Sequence, residues 1–143
     1  MNSRKTHILL VEDNEGDIIL TLDAFEESKL GNEVSVARNG KEALEFLFHK
    51  GNFVNAKKPD LVLLDINLPF FNGIEILEKI KTNDDLKKIP VIMLTTSNRP
   101  EDIKNAYNNH CNGYIEKPLD MEKFLSVILK IEEFWLQINT LAV

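Results

Sequence analysis

Short apolar runs alternate along this chain with longer amphipathic stretches. The runs are His7–Val11, Val34–Ala37, Leu61–Leu64, Val91–Leu94 and Gly113–Ile115. Each has strand length, and the third and fourth are apolar without alternation, the pattern of a parallel strand covered on both faces. Between them the apolar positions recur at helical spacing. Asp17–Ser28 carries Ile18, Ile19, Leu22 and Phe25; Lys41–His49, opened by the Asn39-Gly40 break, carries Ala43, Leu44, Leu47 and Phe48. Gly73–Lys81 carries Ile76, Leu77 and Ile80, and the more polar Arg99–Asn109 carries Ile103, Ala106 and Tyr107. Asp120 is placed to cap a last helix that starts at Met121 and runs through Phe124, Ile128 and Ile131 toward Trp135. Five strands alternating with five helices predict an α/β fold, a doubly wound five-stranded parallel sheet.

Length and composition narrow the reading. The 143 residues form one ordinary domain, and 43% apolar with 28% charged residues is globular composition. A net charge of −6 argues against direct binding to nucleic acid or an anionic membrane surface, because nothing offsets phosphate repulsion. The N-terminal apolar run that follows Met-Asn-Ser-Arg-Lys and ends before Glu12-Asp13 is too short for a signal-peptide core or a membrane span. The lone Cys111 has no internal disulfide partner; it reads as a buried structural thiol in a reducing, cytoplasmic setting.

In open α/β sheets the site lies beyond the C-terminal ends of the strands. Here the first strand ends in Glu12-Asp13, the third in Asp65 and the fourth in Thr95-Thr96-Ser97, while Glu116-Lys117-Pro118 follows the fifth. If these strands are neighbours, three carboxylates, a hydroxyl and an ammonium converge. Carboxylates held together raise their pKa values or bind a cation, and hard oxygen donors suit Mg²⁺. An aspartate can accept a phosphoryl group as an acyl phosphate, whose oxygens then need neutralising charge of the kind Mg²⁺, Lys117 and Thr95 supply. Taken singly, these residues read as solvated loop acids, a surface lysine, a turn threonine and a helix-start proline; the conjunction carries the functional reading.

Leu9-Leu10-Val11-Glu12-Asp13-Asn14, Asp60-Leu61-Val62-Leu63-Leu64-Asp65-Ile66-Asn67-Leu68-Pro69, Pro90-Val91-Ile92-Met93-Leu94-Thr95 and Gly113-Tyr114-Ile115-Glu116-Lys117-Pro118 resemble the motifs of two-component response regulator receiver domains. The resemblance spans about residues 5–132 and implies the flavodoxin-like strand order 2-1-3-4-5, which spacing alone does not show. It implies that Asp65 is the phosphoacceptor, Asp13 a direct Mg²⁺ ligand, and Glu12 an acid that holds the metal through water. It further implies that Asn67 gives its backbone carbonyl to the metal, that Thr95 is a switch hydroxyl, and that Lys117 binds phosphate. Thr95 is preferred over the adjacent Thr96 by counting from Pro90. Tyr114 matches an aromatic switch, and the peptide before Pro118 matches one that is usually cis. The implied partner is a sensor histidine kinase, and the output is a change in protein–protein contacts rather than turnover.

A narrower resemblance, to the single-domain cyanobacterial phytochrome response regulators, rests on four stretches. They are Val11-Glu12-Asp13-Asn14-Glu15-Gly16-Asp17, the extended Lys50–Pro59 stretch, Thr95-Thr96-Ser97, and Ile131-Glu132-Glu133-Phe134-Trp135-Leu136. It suggests a phytochrome-like kinase. Phe70-Phe71 departs from that group and reads either as a partner contact or as a cover for the sheet end. Two other Asp or phosphate-site folds fit less well. A haloacid-dehalogenase phosphatase would carry Asp-x-Asp on the first strand, and a flavodoxin would need a hydroxyl- and Gly-rich first turn. The whole chain, 1–143, is expected to be one receiver with a C-terminal helix extension over 133–143. A helix from Asp120 to about Asn139 would be roughly 30 Å long, more than a small sheet needs. The preferred reading is a homodimer through the fourth helix, fifth strand and fifth helix, with Phe134, Trp135 and Ile138 in the interface. The alternative is that Trp135 folds back on its own domain.

Overall fold

The structure is a computed structural model that describes residues 6–27 and 31–142; the Ile138 side chain and the Ser28 end of the expected first helix lie outside the described residues. Five strands alternate with five helices: β1 (His7–Val11), α1 (Glu15–Glu27), β2 (Glu33–Ala37), α2 (Gly40–Leu47), β3 (Leu61–Leu64), α3 (Gly73–Lys81), β4 (Val91–Thr95), α4 (Pro100–Asn108), β5 (Gly113–Glu116) and α5 (Met121–Glu132). The strands form one parallel sheet in the order β2-β1-β3-β4-β5.

The uniformly apolar strands are explained by two cores. Ile8, Leu10, Leu61, Leu63, Ile92 and Leu94 face α1 and α5, where Ile18, Ala24, Phe25, Phe124, Ile128 and Ile131 close over them. The alternate residues Leu9, Val11, Val62, Leu64, Val91 and Met93 face α2, α3 and α4. The residues of β1, β3 and β4, buried throughout, therefore pack on one helical layer or the other, as a doubly wound sheet demands.

Helix starts follow their caps. The Asn39 side chain accepts from the Glu42 N–H, Asn72 and Glu75 form a reciprocal capping box, and Asp120 accepts from the Glu122 and Lys123 N–H groups. Gly73 opens α3 hard against β3: its N–H donates to the Ile66 carbonyl at 2.8 Å, and a Cβ there would overlap the Asp65 carbonyl oxygen. That contact fixes the end of β3, where Asp65 stands.

Two expectations are corrected. The C-terminal extension is not one straight α-helix. Beyond Glu132 the chain winds as a π-helical segment, Glu133–Ile138, with the Asn139 N–H reaching back five residues to the Phe134 carbonyl at 2.7 Å. A wider turn rotates the face presented by the next residues, and Trp135 and Leu136 pack half-buried on the α1–α5 core. The second concerns Pro118. The Lys117–Pro118 peptide is trans, and no cis bond occurs among the described residues. Before proline the two isomers differ by only about 0.5–1 kcal/mol in favour of trans, so a motif alone does not fix the isomer, and Lys117 reaches the site from the trans chain.

Candidate functional site

The sheet order brings β1 and β3 side by side at the point where the chain's winding reverses. Val11 pairs with Leu64, so the next residues on each strand, Glu12 and Asp65, emerge together at the carboxyl edge. Both backbones stay tied past the strand ends: the Asp65 N–H donates to the Val11 carbonyl at 3.1 Å and the Glu12 N–H to the Ala37 carbonyl at 3.0 Å. On the other side of β3, the Lys117 N–H donates to the Thr95 carbonyl at 2.7 Å, which aims Lys117 back across the edge.

Lys117 is the hub. Its Nζ lies 2.5 Å from Glu12 Oε1, 2.9 Å from Asp17 Oδ2 and 3.2 Å from Asp65 Oδ2, and its side chain is only 5% exposed. Three carboxylates therefore meet the three N–H donors of one ammonium. Burial acts to lower the Lys117 pKa, but the hydrogen bond to Glu12 and the charges around it win and hold it above the usual lysine range. Glu12 responds the other way. Burial pushes its carboxyl up to about 7, and the nearby Asp65 charge adds to this, against the opposing Lys117 hydrogen bond. The second Glu12 oxygen accepts from the Asn14 N–H at 3.1 Å, which pins the carboxylate over the β1 end.

Asp65 is 6% exposed, with Oδ1 accepting from the Ile66 N–H at 2.7 Å. Asp13, by contrast, is exposed at the rim. Carboxylate oxygens of Glu12, Asp13 and Asp65 all lie within 4.8 Å of one another. These three acids stand beside a single lysine, and their excess of negative charge on hard oxygen donors fits a divalent cation such as Mg²⁺. Asn67 stands on the exposed loop two residues beyond Asp65.

Thr95 is fully buried at the end of β4, and its hydroxyl oxygen accepts from the Ser97 N–H at 3.2 Å. Tyr114, half-buried on β5, donates its hydroxyl to the Ser97 carbonyl at 2.9 Å. Ser97 in turn donates its hydroxyl to Asp102 on α4 at 2.5 Å. Thr95, Tyr114 and α4 are thus joined through one residue of the β4–α4 loop.

A matching family model decides the identity: that of the response regulator receiver domain covers residues 8–129. The chain belongs to the response regulator receiver family. This receiver is 40% identical over 134 residues to the response regulator Rcp1 of Synechocystis, a match covering 94% of this chain and 91% of Rcp1. It is also 41% identical to the probable methanogenesis regulatory protein FilR2 of Methanothrix harundinacea, over 92% of this chain and 84% of that one. Among solved structures, the receiver superposes on the phosphorylated cyanobacterial phytochrome response regulator RcpA with a TM-score of 0.96 and 42% identity, covering 98% of this chain and 100% of that one. The Mn(2+)-bound form of Rcp1 gives 0.93 at 39% identity, over 96% and 99%.

The structure brings Glu12, Asp13, Asp65 and Lys117 together as expected, with Thr95 on the neighbouring strand end. Sequence reasoning missed Asp17. It lies in the first turn of α1, where its N–H donates to Asn14 Oδ1 at 2.9 Å, and its carboxylate reaches Lys117 in the strand-end crevice. Ser97 enters the sequence reading only as part of a motif, yet it is the junction between Thr95 and Tyr114. Of the two loop aromatics, Phe70 is 76% exposed with φ +70°, a conformation rare for a bulky residue. Phe71 lines a surface groove of about 520 Å³ between α2 and α3.

Proposed function

We propose that this receiver accepts a phosphoryl group onto Asp65 from a sensor histidine kinase in a Mg²⁺-dependent reaction, and signals by changing its protein–protein contacts. The observation that carries the reading is the position of the buried Asp65 carboxylate between the Lys117 ammonium and the carboxylates of Glu12 and Asp13. An Asp65 oxygen attacks the donor's phosphorus; the bond from phosphorus to the donor nitrogen breaks, its electron pair leaving with the imidazole. Lys117 then neutralises phosphoryl oxygens, and the Thr95 hydroxyl donates to one of them. Glu12, Asp13, Asp65 and the Asn67 carbonyl would hold Mg²⁺, which when bound offsets the charge shared by acceptor and phosphoryl group.

In this proposal the protein is a phosphoacceptor switch working in the cytoplasm, not a turnover enzyme. Phosphorylated RcpA and Mn(2+)-bound Rcp1 support the acceptor and metal roles, and the description of RcpA as a phytochrome response regulator supports a phytochrome-like kinase. We further propose a homodimer through α4, β5 and α5. Nucleic acid and membrane are not expected partners: the net charge is −6, and among the described residues no helix is long and apolar enough to cross a membrane.

The test is intact mass after incubation with acetyl phosphate and Mg²⁺. Wild type should gain one phosphoryl group, while Asp65→Asn, or wild type with chelator in place of Mg²⁺, should stay at background. Full labelling of Asp65→Asn would move the acceptor elsewhere, and steady release of phosphate without a labelled protein would make this an enzyme.

A further inference from the structure

The strongest unexplained feature of the site is Asp17. Glu12 and Asp65 are strand-end acids with roles in the proposed metal and acceptor chemistry, but Asp17 sits on α1 and belongs to neither. Its carboxylate nevertheless takes one of the three Lys117 donors at 2.9 Å, across 100 residues of sequence. Its side chain is 25% exposed against 3% for Glu12 and 8% for Asp65, so it is the outermost of the three anchors.

We infer that Asp17 is a positioning residue that restrains phosphorylation of Asp65 by competing with the incoming phosphoryl group for Lys117. The inference rests on the proposed role of Asp65 as acceptor. Donor capacity is what limits the site. An ammonium has three N–H donors and no more, and in this structure Glu12, Asp17 and Asp65 take all three. A phosphoryl group arriving at Asp65 brings equatorial oxygens that need such donors at the moment of transfer. The bond to Asp65 itself can swing to the phosphoryl oxygens, but a second donor becomes free only if Glu12 or Asp17 lets go. Glu12 is sealed in place by the Asn14 N–H and by burial. Asp17 is the anchor at the solvent edge and is the one placed to release.

Charge acts in the same direction. A small phosphodonor is itself an anion and must approach a crevice where Glu12, Asp17 and Asp65 meet one lysine and Asp13 stands at the rim; Asp17 adds one of those negative charges at the entrance. Its removal should both free a donor and lower repulsion. With acetyl phosphate the reaction is balanced within the site. The bond from phosphorus to the acetyl oxygen breaks, the Asp65 oxygen-to-phosphorus bond forms, and acetate leaves with the electron pair.

The competing explanation is that Asp17 merely favours the first turn of α1, as acids at helix N-termini do. That role would move stability and leave the chemistry alone. The experiment therefore measures the rate of Asp65 labelling by acetyl phosphate at saturating Mg²⁺, by intact mass, for wild type, Asp17→Asn and Asp17→Glu. It is paired with affinity for beryllium fluoride, a phosphoryl mimic that needs no leaving group. Asp17→Asn should label about three- to tenfold faster and bind beryllium fluoride more tightly, while Asp17→Glu, which keeps the charge on a longer arm, should return toward the wild-type rate. An unchanged or slower rate in Asp17→Asn overturns the inference, as does equal acceleration in Asp17→Glu. These failures differ from that of the acceptor reading, in which wild type itself would take no phosphoryl group at Asp65. A thermal melt shifted with unchanged labelling assigns Asp17 to the helix start and overturns the competition.

Discussion

Glu12 is a carboxylic acid sealed beneath a lysine, and its pH behaviour follows from that position. Its pKa in the fold is pushed up to about 7 from an ordinary 4.5, chiefly by burial. A carboxyl whose pKa is raised on folding favours the protonated form in the native state. Its contribution to stability is therefore fully present below about pH 4.5 and is lost as pH rises toward 7. The loss attributable to this one group is on the order of 1–3 kcal/mol, since a tenfold change in proton affinity corresponds to about 1.4 kcal/mol. Urea unfolding from pH 4.5 to 7.5 without divalent cation should show wild type losing stability relative to Glu12→Gln across that window. Added Mg²⁺ should flatten the difference, because a cation favours the ionised acid. Parallel profiles for the two proteins would mean that Glu12 ionises freely within the fold. The same residue scale shows what the sequence made legible. Glu12, Asp13, Asp65 and Lys117 were readable because each ends or follows an apolar run and has the right chemical type. Asp17 was not, because it sits inside an amphipathic helix, where an acid looks like a solvated position. The exposure and left-handed backbone of Phe70 had no signal at all, since nothing in Pro69-Phe70-Phe71 distinguishes a cover from a protruding ring.

At the scale of elements, β4, β5 and α4 are coupled through the loop residue Ser97, which accepts from Tyr114, donates to Thr95, and holds Asp102 on α4. If Thr95 turns its hydroxyl to a phosphoryl oxygen, the bond it accepts from the Ser97 N–H is weakened. The loop, Tyr114 and the start of α4 must then rearrange together. Amide chemical shifts of residues 97–107 and 113–116 are therefore expected to change when beryllium fluoride binds at Asp65. Thr95→Ala should confine the changes to the strand ends, and Tyr114→Phe should reduce them in α4. Shift changes limited to residues near Asp65 in wild type would contradict the coupling. The elements themselves were largely legible. All five strands lie within two residues of the apolar runs, because a strand covered on both faces leaves a continuous run that a helix does not. Helix starts were legible where Asn39 and Asp120 cap them. The order β2-β1-β3-β4-β5 was reached only through family resemblance, as local periodicity carries no information about which strands become neighbours. The π-helical end of the chain was missed for a related reason: Phe124, Ile128, Ile131 and Trp135 fit a 3.6-residue period, which carries no signal of the wider winding beyond Glu132.

For the molecule as a whole, the remaining question is what the α4–β5–α5 side meets. Trp135 is half-buried on its own core, so the intramolecular alternative accounts for most of that ring. Phe134 is different: it packs edge-on against Trp135, with ring centroids 5.4 Å apart, yet stays 49% exposed. Leu129 on α5 is 43% exposed and Tyr107 on α4 is 52% exposed. Two-fold pairing is the commonest way for one chain to cover such groups, because each copy then covers the same patch on the other. Burying the rest of a large aromatic contributes about 1 kcal/mol per copy, taking half of the ~1.5–3 kcal/mol for a whole side chain. Two copies then amount to about 2 kcal/mol of the roughly 8 kcal/mol in a micromolar association. Phe134→Ala should accordingly weaken dimers by on the order of thirtyfold while leaving acetyl phosphate labelling of Asp65 unchanged. Trp135→Ala should instead lower the melting temperature, because it opens a gap over the α1–α5 core. Sedimentation of wild type and Phe134→Ala at matched concentrations, with and without beryllium fluoride, separates the cases. Wild type that stays monomeric in both states to high micromolar concentration would leave Phe134 as a solvent-facing cap on Trp135, and the homodimer would be abandoned.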